Sequence, residues 1–474
     1  MNAVFHIRPI FHYLKPKQFF VIGIKAIIFG LKFPCRMHVA QQILFILLAL
    51  AAIYIFAKKV TEMRRNILLG RDEDLSDNKG QRWKNMILLA LGQKKMFKKP
   101  VPAFLHLFVY AGFIIINAEI LEIFLDGILG KHRLFAPVLG GLYAFLIGFF
   151  EILAVLVLVG CAIFLIRRNI IKVRRLNMKE LNGWPREDAN VILITEIILM
   201  ALFLTMNTAD QSLQALGAEH YTPTSPFWIT SHFTGMFAGM SAPALTGIER
   251  GCWWLHIIGV FCFLNYLPYS KHFHILLAFP NAYYSRLTPQ GEIKNMPEIQ
   301  NEVLYMMEPD KAPTATAEQE HKRFGAKDVT DLSWKNLLDA YSCTECGRCT
   351  DVCPANMTGK KLSPRKIMMD TRDRLEEVGK NININKTFKD DGKALLNDYI
   401  TIEELRACTT CQACVEACPV TIDPLSIIMQ LRRSLVMEDS NAPQEWNLMF
   451  GNIENNMAPW KFSPDDRDAW VNNG

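Results

Sequence analysis

Long apolar stretches alternate with charged segments over the first 280 residues. Five stretches, at roughly 37–57, 101–125, 138–166, 189–207 and 252–277, are long enough to cross about 30 Å of hydrocarbon as helices. Beyond residue 278 the apolar runs are short and charges are frequent. The pattern therefore predicts an all-α membrane protein, with a five-helix transmembrane bundle over 37–277 followed by an aqueous part.

The segments outside the bundle have distinct compositions. Residues 1–36 form a basic N-terminal tail in which Gln18, Lys25 and Lys32 share one helical face, which favours an amphipathic helix in the membrane interface. A sixth span that reverses the topology is the alternative. Residues 278–335 are rich in Pro, Ala, Thr and charge, and are predicted to be a connector.

Charge distribution gives the orientation of the bundle. The net charge of +6 is compatible with a nucleic-acid partner, but the loop after the first span holds twelve Lys and Arg and the loop after the third holds seven, against three in the two opposite loops. We therefore expect multi-pass insertion in the inner, cytoplasmic membrane, with the N-terminus outside and the C-terminal part in the cytoplasm. This distribution removes the reason to expect nucleic acid.

Two cysteine motifs of identical spacing follow the connector, within a predicted domain at 336–435. Each reads C-x2-C-x2-C-x3-C-P, the ligand run of two-cluster ferredoxins. The fourth cysteine of each run is expected to serve the other cluster. The predicted ligands are Cys343, Cys346, Cys349 and Cys418 for one [4Fe–4S] cluster, and Cys408, Cys411, Cys414 and Cys353 for the other.

Zinc and disulfides are the weaker alternatives for these cysteines, because zinc sites favour separate C-x2-C pairs and the cytoplasm is reducing. Helices are predicted at 363–379, with Ser363 as N-cap, and at 423–436. The domain is thus expected to be a mostly helical, two-[4Fe–4S] ferredoxin-like module.

Histidines inside apolar spans are candidate haem ligands, since ionisable groups are costly in a bilayer. His106 lies near the start of span two, while His256 and His274 lie on the predicted span five. Eighteen residues make five helical turns, so the latter two are expected on one face, about 27 Å apart, with His256 near the outer side. His106 and His274 are predicted to ligate haem b. A second haem on His256, with His232 as partner, stays open beside a quinone-binding role for His256 and a capping role for all of them.

Carboxyl groups also lie inside the spans. Glu119 and Glu151 are candidates for handling the protons of quinone chemistry, and hydrogen-bonded helix packing is the alternative. The chain carries no phosphate-cradling glycine motif. Flavin or nicotinamide chemistry is therefore expected from another polypeptide.

These features together resemble a known family. The haem-like histidines in "LHLFVYAGF" and "WWLHIIGVFCFLNYLPYSKHFH" resemble the nitrate reductase gamma subunit, and the paired motifs resemble heterodisulfide reductase. Quinone-linked electron-transfer-flavoprotein oxidoreductases share this design. In the gamma subunits two histidines on span two serve two haems, and here only His106 matches. Many relatives continue into a domain with CCG motifs, so the resemblance implies a separate CCG-domain protein, docked on the C-terminal tail at 436–474, and a flavoprotein as further partner.

The implied activity is electron transfer. The resemblance implies an oxidoreductase subunit that relays electrons between a soluble partner and menaquinone or another quinone, through two [4Fe–4S] clusters and haem b. The alternatives are a quinol-fed subunit of a heterodisulfide or thiol reductase, and a membrane anchor whose clusters are structural.

Overall fold

The computed structural model describes residues 36–312, 323–461, 463–466 and 468–472. The regular elements within these ranges are helices, and the extended pairings there are two isolated β-bridges. A mostly helical protein is thereby confirmed. The amphipathic helix predicted for the N-terminal tail lies outside the described residues.

Five of the described helices are long and apolar enough to cross a membrane. They are α1 (Arg36–Ile67), α2 (Pro100–Leu129), α3 (Gly141–Asn169), α4 (Trp184–Ala215) and α5 (Ala242–Tyr266). Helices α1, α2 and α4 contain the stretches that hydropathy predicts, and α3 begins three residues after the start of the stretch predicted at 138–166.

The fifth span differs from the prediction. Helix α5 begins at Ala242, and after Tyr266 two short 3₁₀ turns carry the chain past Pro268 to a separate helix, α6 (His274–Tyr283). Pro268 has no backbone N–H to donate to the helical ladder, and Ser270 then accepts a hydrogen bond from the His272 backbone N–H at the start of a new turn. The prediction that His256 and His274 share one face of a continuous helix was therefore wrong.

The depth predicted for His256 changes for the same reason. The candidate span runs from Ala242 to Tyr269, so His256 lies fourteen residues from its first residue and thirteen from its last. His256 is thus at mid-span rather than near the outer end.

The chain divides into two compact units. We call residues 36–57, 101–171 and 187–267 the membrane unit, and residues 58–100, 172–186 and the described residues from 268 onward the cysteine unit. The division falls inside α1, between Ala57 and Lys58. Residues 58–100 and 172–186, which hydropathy alone marks as loops of the bundle, therefore cluster with the cysteine motifs.

Helices of the membrane unit approach closely at glycines. A Cβ on Gly112 of α2 would lie 2.3 Å from Val157 Cγ2 of α3, and one on Gly127 would lie 2.7 Å from the ring of Phe45 on α1. Phe45 is 1% exposed and packs edge-on against Phe124. Small residues at contacts let apolar helices pack by van der Waals contact, which is how bundles in lipid associate.

Helices of the cysteine unit are shorter. The longer ones are α6, α7 (Pro297–Met307), α8 (Trp334–Ser342), α9 (Pro364–Asn385), α10 (Pro424–Arg433) and α11 (Gln444–Asn456). Single-turn helices occur at Lys79–Asn85, Arg348–Asp351, Pro354–Met357, Ile402–Arg406, Ala413–Ala417 and Ala469–Asn472, and in the membrane unit at Ala136–Leu139.

The two helices predicted around the motifs are confirmed. Helix α9 begins at Pro364, with the Ser363 side chain accepting from the Lys366 N–H, and α10 begins at Pro424, with Asp423 accepting from Ser426. In α9, the fully buried Arg374 donates to both Asp328 and Asp391, at 2.6–3.1 Å. This cation joins the insert between the motifs to the turn before α8.

Basic residues of segment 58–100 form part of the same core. Arg82 is 2% exposed and donates to the Ser285 carbonyl at 3.1 Å. Asn66 donates to the Tyr341 hydroxyl at 3.0 Å, and Lys59 pairs with Glu376 at 3.2 Å. Some of the Lys and Arg residues that were counted to predict the membrane orientation thus also have partners inside the cysteine unit.

Candidate functional site

Four cysteines from both motifs surround one cavity. Cys343 and Cys346 lie on the loop between α8 and the turn at Arg348–Asp351, Cys349 lies in that turn, and Cys418 joins them from the second motif. The cavity has about 380 Å³ of empty space, counting the part open to solvent. We call these four residues the first thiol set. It is the group that the spacing predicts for one cluster.

The remaining four cysteines are also neighbours, and we call Cys408, Cys411, Cys414 and Cys353 the second thiol set. Burial raises the pKa of Cys408, and the nearby Cys353 and Cys411 raise it further. The pKa of Cys414 is likewise raised by burial, then by Asp423, Cys408 and Cys353. Cys411 is exposed, whereas Cys353 and Cys414 are buried. Cys353, from the first motif, thus lies near Cys408 and Cys414 of the second.

The thiols of the first set are buried or half-buried and lie close to one another. Burial raises the pKa of Cys343 to about 11 and that of Cys418 to about 12. The pKa of Cys349 is raised well above its usual range by burial and by the charges of Cys346, Cys343 and Cys418. Neighbouring thiolates repel one another, so the set favours a bound cationic centre that stabilises all four in the thiolate form.

Backbone N–H groups point at the sulfurs. The Ile422 N–H donates to Cys418 Sγ at 3.3 Å, and the Thr410 N–H donates to Cys408 Sγ at 3.4 Å. Hydrogen bonds to cluster sulfurs are one of the means by which a protein sets a cluster potential. Among the described residues, no three His, Cys, Asp or Glu side chains converge on a site for a single ion. Cubane ligands instead each bind a different iron.

Basic residues outside the motifs fasten both of them. Lys99 pairs with Asp351 at 2.8 Å, and Lys98 pairs with Glu416. Arg175 donates to the Cys346 carbonyl, and its own carbonyl accepts from the buried Arg365 at 2.6 Å. Sequence reasoning missed these contacts, because Lys and Arg in these segments were counted only as indicators of orientation.

His256 is the predicted haem ligand with the clearest geometry. It is 1% exposed, and its Nδ1 lies 3.0 Å from the Leu199 carbonyl of α4. A carbonyl only accepts, so Nδ1 carries the proton and Nε2 presents a lone pair. That Nε2 is buried with no hydrogen-bond partner among the described residues. A histidine that donates through one nitrogen to a carbonyl and leaves the other free has the arrangement of a metal ligand.

The other candidate histidines are placed differently. His274 begins α6 in the cysteine unit, and its Nδ1 lies 3.1 Å from the Lys271 carbonyl, which again directs the lone pair to Nε2. His106 is half-buried on α2 in the membrane unit, with its ring stacked on Tyr110. His232 is exposed on the 3₁₀ helix Thr230–Phe237.

Glu119 and Glu151, the two carboxyl groups predicted for proton handling, have opposite surroundings. Glu151 is fully buried and accepts from Asn207 Nδ2, from the Ile229 and Thr230 N–H groups, and from the Thr230 hydroxyl. Glu119 is 2% exposed and its Oε2 has no hydrogen-bond partner among the described residues. The arrangement at Glu151 fixes a loop, whereas Glu119 retains an oxygen for exchange.

Arg133, on the loop after α2, centres a buried polar network that sequence reasoning missed. It donates to Asp210 at 2.6 Å, to Asn207 at 2.8 Å and to the Tyr143 hydroxyl at 2.9 Å. Its Nη1 lies 3.9 Å from Glu119 Oε1. Asp210 falls beyond the span predicted at 189–207, which is why it attracted no attention in the sequence.

Comparison with known proteins supports the iron–sulfur assignment. Residues 342–422 match the 4Fe-4S dicluster domain family. The chain is 26% identical over 461 residues, 91% of its length, to the probable iron-sulfur-binding oxidoreductase FadF of Bacillus subtilis. It is 28% identical over 427 residues, 84% of its length, to the EtfAB:quinone oxidoreductase of Syntrophomonas wolfei.

A further relative matches the cysteine region alone. One of the subunits of a ferredoxin/F(420)H(2)-dependent CoB-CoM heterodisulfide reductase from Methanosarcina acetivorans is 37% identical over 108 residues, which are 23% of this chain and 53% of that protein. The chain spans 61% of the length of FadF and 54% of the Syntrophomonas protein. No solved structure matches. The relatives are, by name, iron–sulfur oxidoreductases and subunits of electron-transfer complexes.

Proposed function

We propose that the protein is the membrane subunit of a respiratory-type oxidoreductase that passes electrons between a soluble redox partner and the quinone pool. The observation that carries the proposal is that Cys418 lines one cavity with Cys343, Cys346 and Cys349, while Cys353 lies near Cys408 and Cys414, which supports an exchange of the fourth cysteines. Two clusters held in this way supply neighbouring one-electron centres. The EtfAB:quinone oxidoreductase among the relatives supports quinone as the membrane substrate.

The chain's own residues hold and tune these centres. The eight thiols bind iron, and the N–H groups of Ile422 and Thr410 donate to ligand sulfurs. Haem b, when bound, supplies a further one-electron centre within the bilayer. The buried Nε2 of His256 supports haem ligation, and the pairing of His106 with His274 stays a sequence-based proposal, as does a role for His232.

Quinone reduction consumes protons, and the membrane unit offers one carboxyl suited to supply them. Glu119 has an oxygen without a partner among the described residues and lies near the fixed charge of Arg133, so it can take up and release a proton without breaking a structural bond. We assign proton handling to Glu119. Glu151, with its four donors, is assigned to anchoring the loop at Ile229–Thr230.

A matched pair of variants tests the assignment of the carboxyl groups. Glu119→Gln is expected to lower quinone-linked turnover about 10²-fold with little change in thermal stability, because it removes the exchangeable proton. Glu151→Gln is expected to lower stability by about 1–3 kcal/mol, because its amide cannot accept from all four donors. Equal turnover in Glu119→Gln and wild type contradicts the assignment.

The proposal as a whole is tested on the purified protein with reduced-minus-oxidised spectra and a quinone analogue. A b-type haem band and cluster signals that respond to quinol are expected. The absence of the haem band would overturn the path from cluster to quinone.

Reduction of a disulfide by a partner protein, fed from quinol, is the second candidate. The 37% identity to the heterodisulfide reductase relative over the cysteine region favours it. Affinity purification of the complex distinguishes the two candidates. A co-purifying flavoprotein supports the first, and a flavin-free partner with disulfide reductase activity supports the second.

A further inference from the structure

Helix α6, which carries His274, contacts the first thiol set at both of its ends. Just before the helix, Lys271 pairs with Glu345, which lies between Cys343 and Cys346. Near the far end, Asn281 Nδ2 donates to the Val420 carbonyl at 2.8 Å, two residues after Cys418. Val420 also lines the cavity of the first thiol set. All of these residues belong to the cysteine unit.

Glu345 is the centre of a buried group of three charges. It pairs with Lys271 through one oxygen and with Arg372 through the other, at 2.8 Å. The side chain of Glu345 is 3% exposed and that of Lys271 is 9% exposed. Charges in such a low-dielectric setting act strongly on their neighbours, and Glu345 lies in the loop between Cys343 and Cys346.

The Lys271 backbone links this charge group to the candidate haem ligand. Its carbonyl lies 3.1 Å from His274 Nδ1, and its ammonium group contacts Glu345. A short path of bonds and hydrogen bonds thus runs from the His274 imidazole to the loop that holds Cys343 and Cys346.

The second thiol set has other contacts and more exposure. Arg432 donates to the Cys408 carbonyl at 2.5 Å, and Gln412 donates to the Glu292 carbonyl at 3.3 Å. Cys411 is the exposed member of this set, whereas the cysteines of the first set are buried or half-buried. Exposure of a ligand brings a cluster within reach of a soluble protein.

From these contacts we infer that the two clusters have a fixed order. The first thiol set holds the inner cluster, which exchanges electrons with the centre at His274, and the second set holds the outer cluster, which exchanges electrons with the soluble partner. Lys271, Glu345 and Arg372 are positioning residues that hold α6 against the inner cluster and set its potential. The inference rests on the proposed function.

Each step of this order moves one electron and no proton. The reduced soluble partner, a flavoprotein or iron–sulfur protein, loses the electron that the outer cluster gains. The outer cluster would pass it to the inner one, and the inner cluster would pass it to the His274 centre. Two such electrons, together with two protons taken up in the membrane unit, would reduce one quinone to quinol. In the opposite direction quinol is the donor and the soluble partner is the acceptor.

Glu345→Gln in the full-length purified protein is the test, with Glu416→Gln as matched control. Glu416 is a carboxylate of the second motif whose side chain is 43% exposed. Removing the negative charge of Glu345 leaves two cations near the inner cluster, so its reduction potential is expected to rise in an EPR-monitored titration. The other cluster is expected to be unchanged, and the control is expected to shift neither cluster.

Electron-spin relaxation gives a second readout that needs no change near the cysteines. In the wild type, ferric haem is expected to speed the relaxation of one cluster, and His274→Ala is expected to remove that effect. The order holds if this cluster is the one whose potential rises in Glu345→Gln. It is overturned if the slowly relaxing cluster shifts, or if neither cluster shifts. Arg372→Gln, expected to lower the same potential, replaces Glu345→Gln if that variant does not fold.

Different results contradict the proposed function and the proposed order of the clusters. Absence of haem in the wild type overturns the function itself. Haem that is present but acts on the other cluster overturns the order alone.

Discussion

The two cysteine motifs have the same spacing and the same backbone shape, yet their surroundings differ. Glu345 and Thr410 occupy equivalent positions with φ of 54° and 58°, and Gly347 and Gln412 do so with 72° and 59°. The Glu345 side chain is buried between two cations, whereas the Thr410 hydroxyl donates to the adjacent Thr409 carbonyl. Backbone shape therefore places the thiols, while the side chains between them determine what each cluster faces.

Glycine is required in one motif and not in the other. A Cβ on Gly347 would lie 2.4 Å from Arg365 Nη1 and 2.9 Å from the Arg175 carbonyl, so a side chain would displace the residues that fasten the first motif. Gln412 adopts the same left-handed backbone, and its side chain reaches the Glu292 carbonyl. The first motif is therefore the more tightly enclosed of the two.

Substitution of the fourth cysteine of each motif is expected to have the largest effect, the loss of one whole cluster. Cys418→Ala should remove the cluster of the first motif, and Cys353→Ala that of the second, because each variant deletes a ligand that serves the other motif. Non-haem iron per protein should fall from about eight toward about four in each, with opposite EPR signals surviving. Cys262→Ala, at an exposed cysteine outside the motifs, is the control. Loss of the same signal in both variants contradicts the exchange.

His274 determines whether the inner motif faces a haem. If His274 ligates haem as proposed, His274→Ala should abolish the haem absorbance while both cluster signals remain, because it removes the proposed haem ligand and no thiol. His220→Ala, at an exposed loop histidine, should leave the spectrum unchanged. An unaltered haem spectrum in His274→Ala would show that His274 is not a haem ligand. The first motif would then have no reason to be placed next to a haem.

Arg374 tests whether the two motifs depend on one shared insert. Arg374→Met leaves Asp328 and Asp391 without their buried cation and should lower the free energy of unfolding by about 3–5 kcal/mol, measured by chemical denaturation. Both clusters should be lost together on heating. Lys361→Met, which breaks a pair whose side chains are 69% and 60% exposed, should change little.

The lysines that fasten the motifs should give the smallest effect. Lys98→Ala and Lys99→Ala each break a partly exposed pair, at Glu416 and Asp351, and should cost about 0–1 kcal/mol. High salt should remove the difference from wild type, because it screens such pairs. A larger cost for Lys99 alone would show that the first motif relies more on this segment.

Sequence reasoning performs well where the signal is local. Four of the five spans and the helices capped by Ser363 and Asp423 follow from hydropathy and capping patterns. The cysteine sets follow from spacing. Span five was misplaced because charged and small residues at 242–251 hid its start and an apolar run continued past Pro268.

Tertiary pairing was beyond the sequence. Glu345 meets Lys271 across 74 positions and Lys99 meets Asp351 across 252, and no local pattern marks either pair. Glu119 and Glu151 also look alike in the sequence. The two differ in their spatial neighbours: four hydrogen-bond donors lie around Glu151, whereas Glu119 Oε2 has no partner among the described residues.

The interleaving of the cysteine unit has a consequence for biosynthesis. Arg82 meets the Ser285 carbonyl 203 residues later, and Lys59 meets Glu376 317 residues later. At about 5–20 residues per second, the ribosome needs tens of seconds to make these partners. The segments that contain Lys59 and Arg82 therefore lack these partners until the later residues are synthesised. The cavity lined by the cysteines can be completed only after the five spans have been made. Any loading of the cavity at Cys343 and Cys418 thus comes after all five spans have been synthesised.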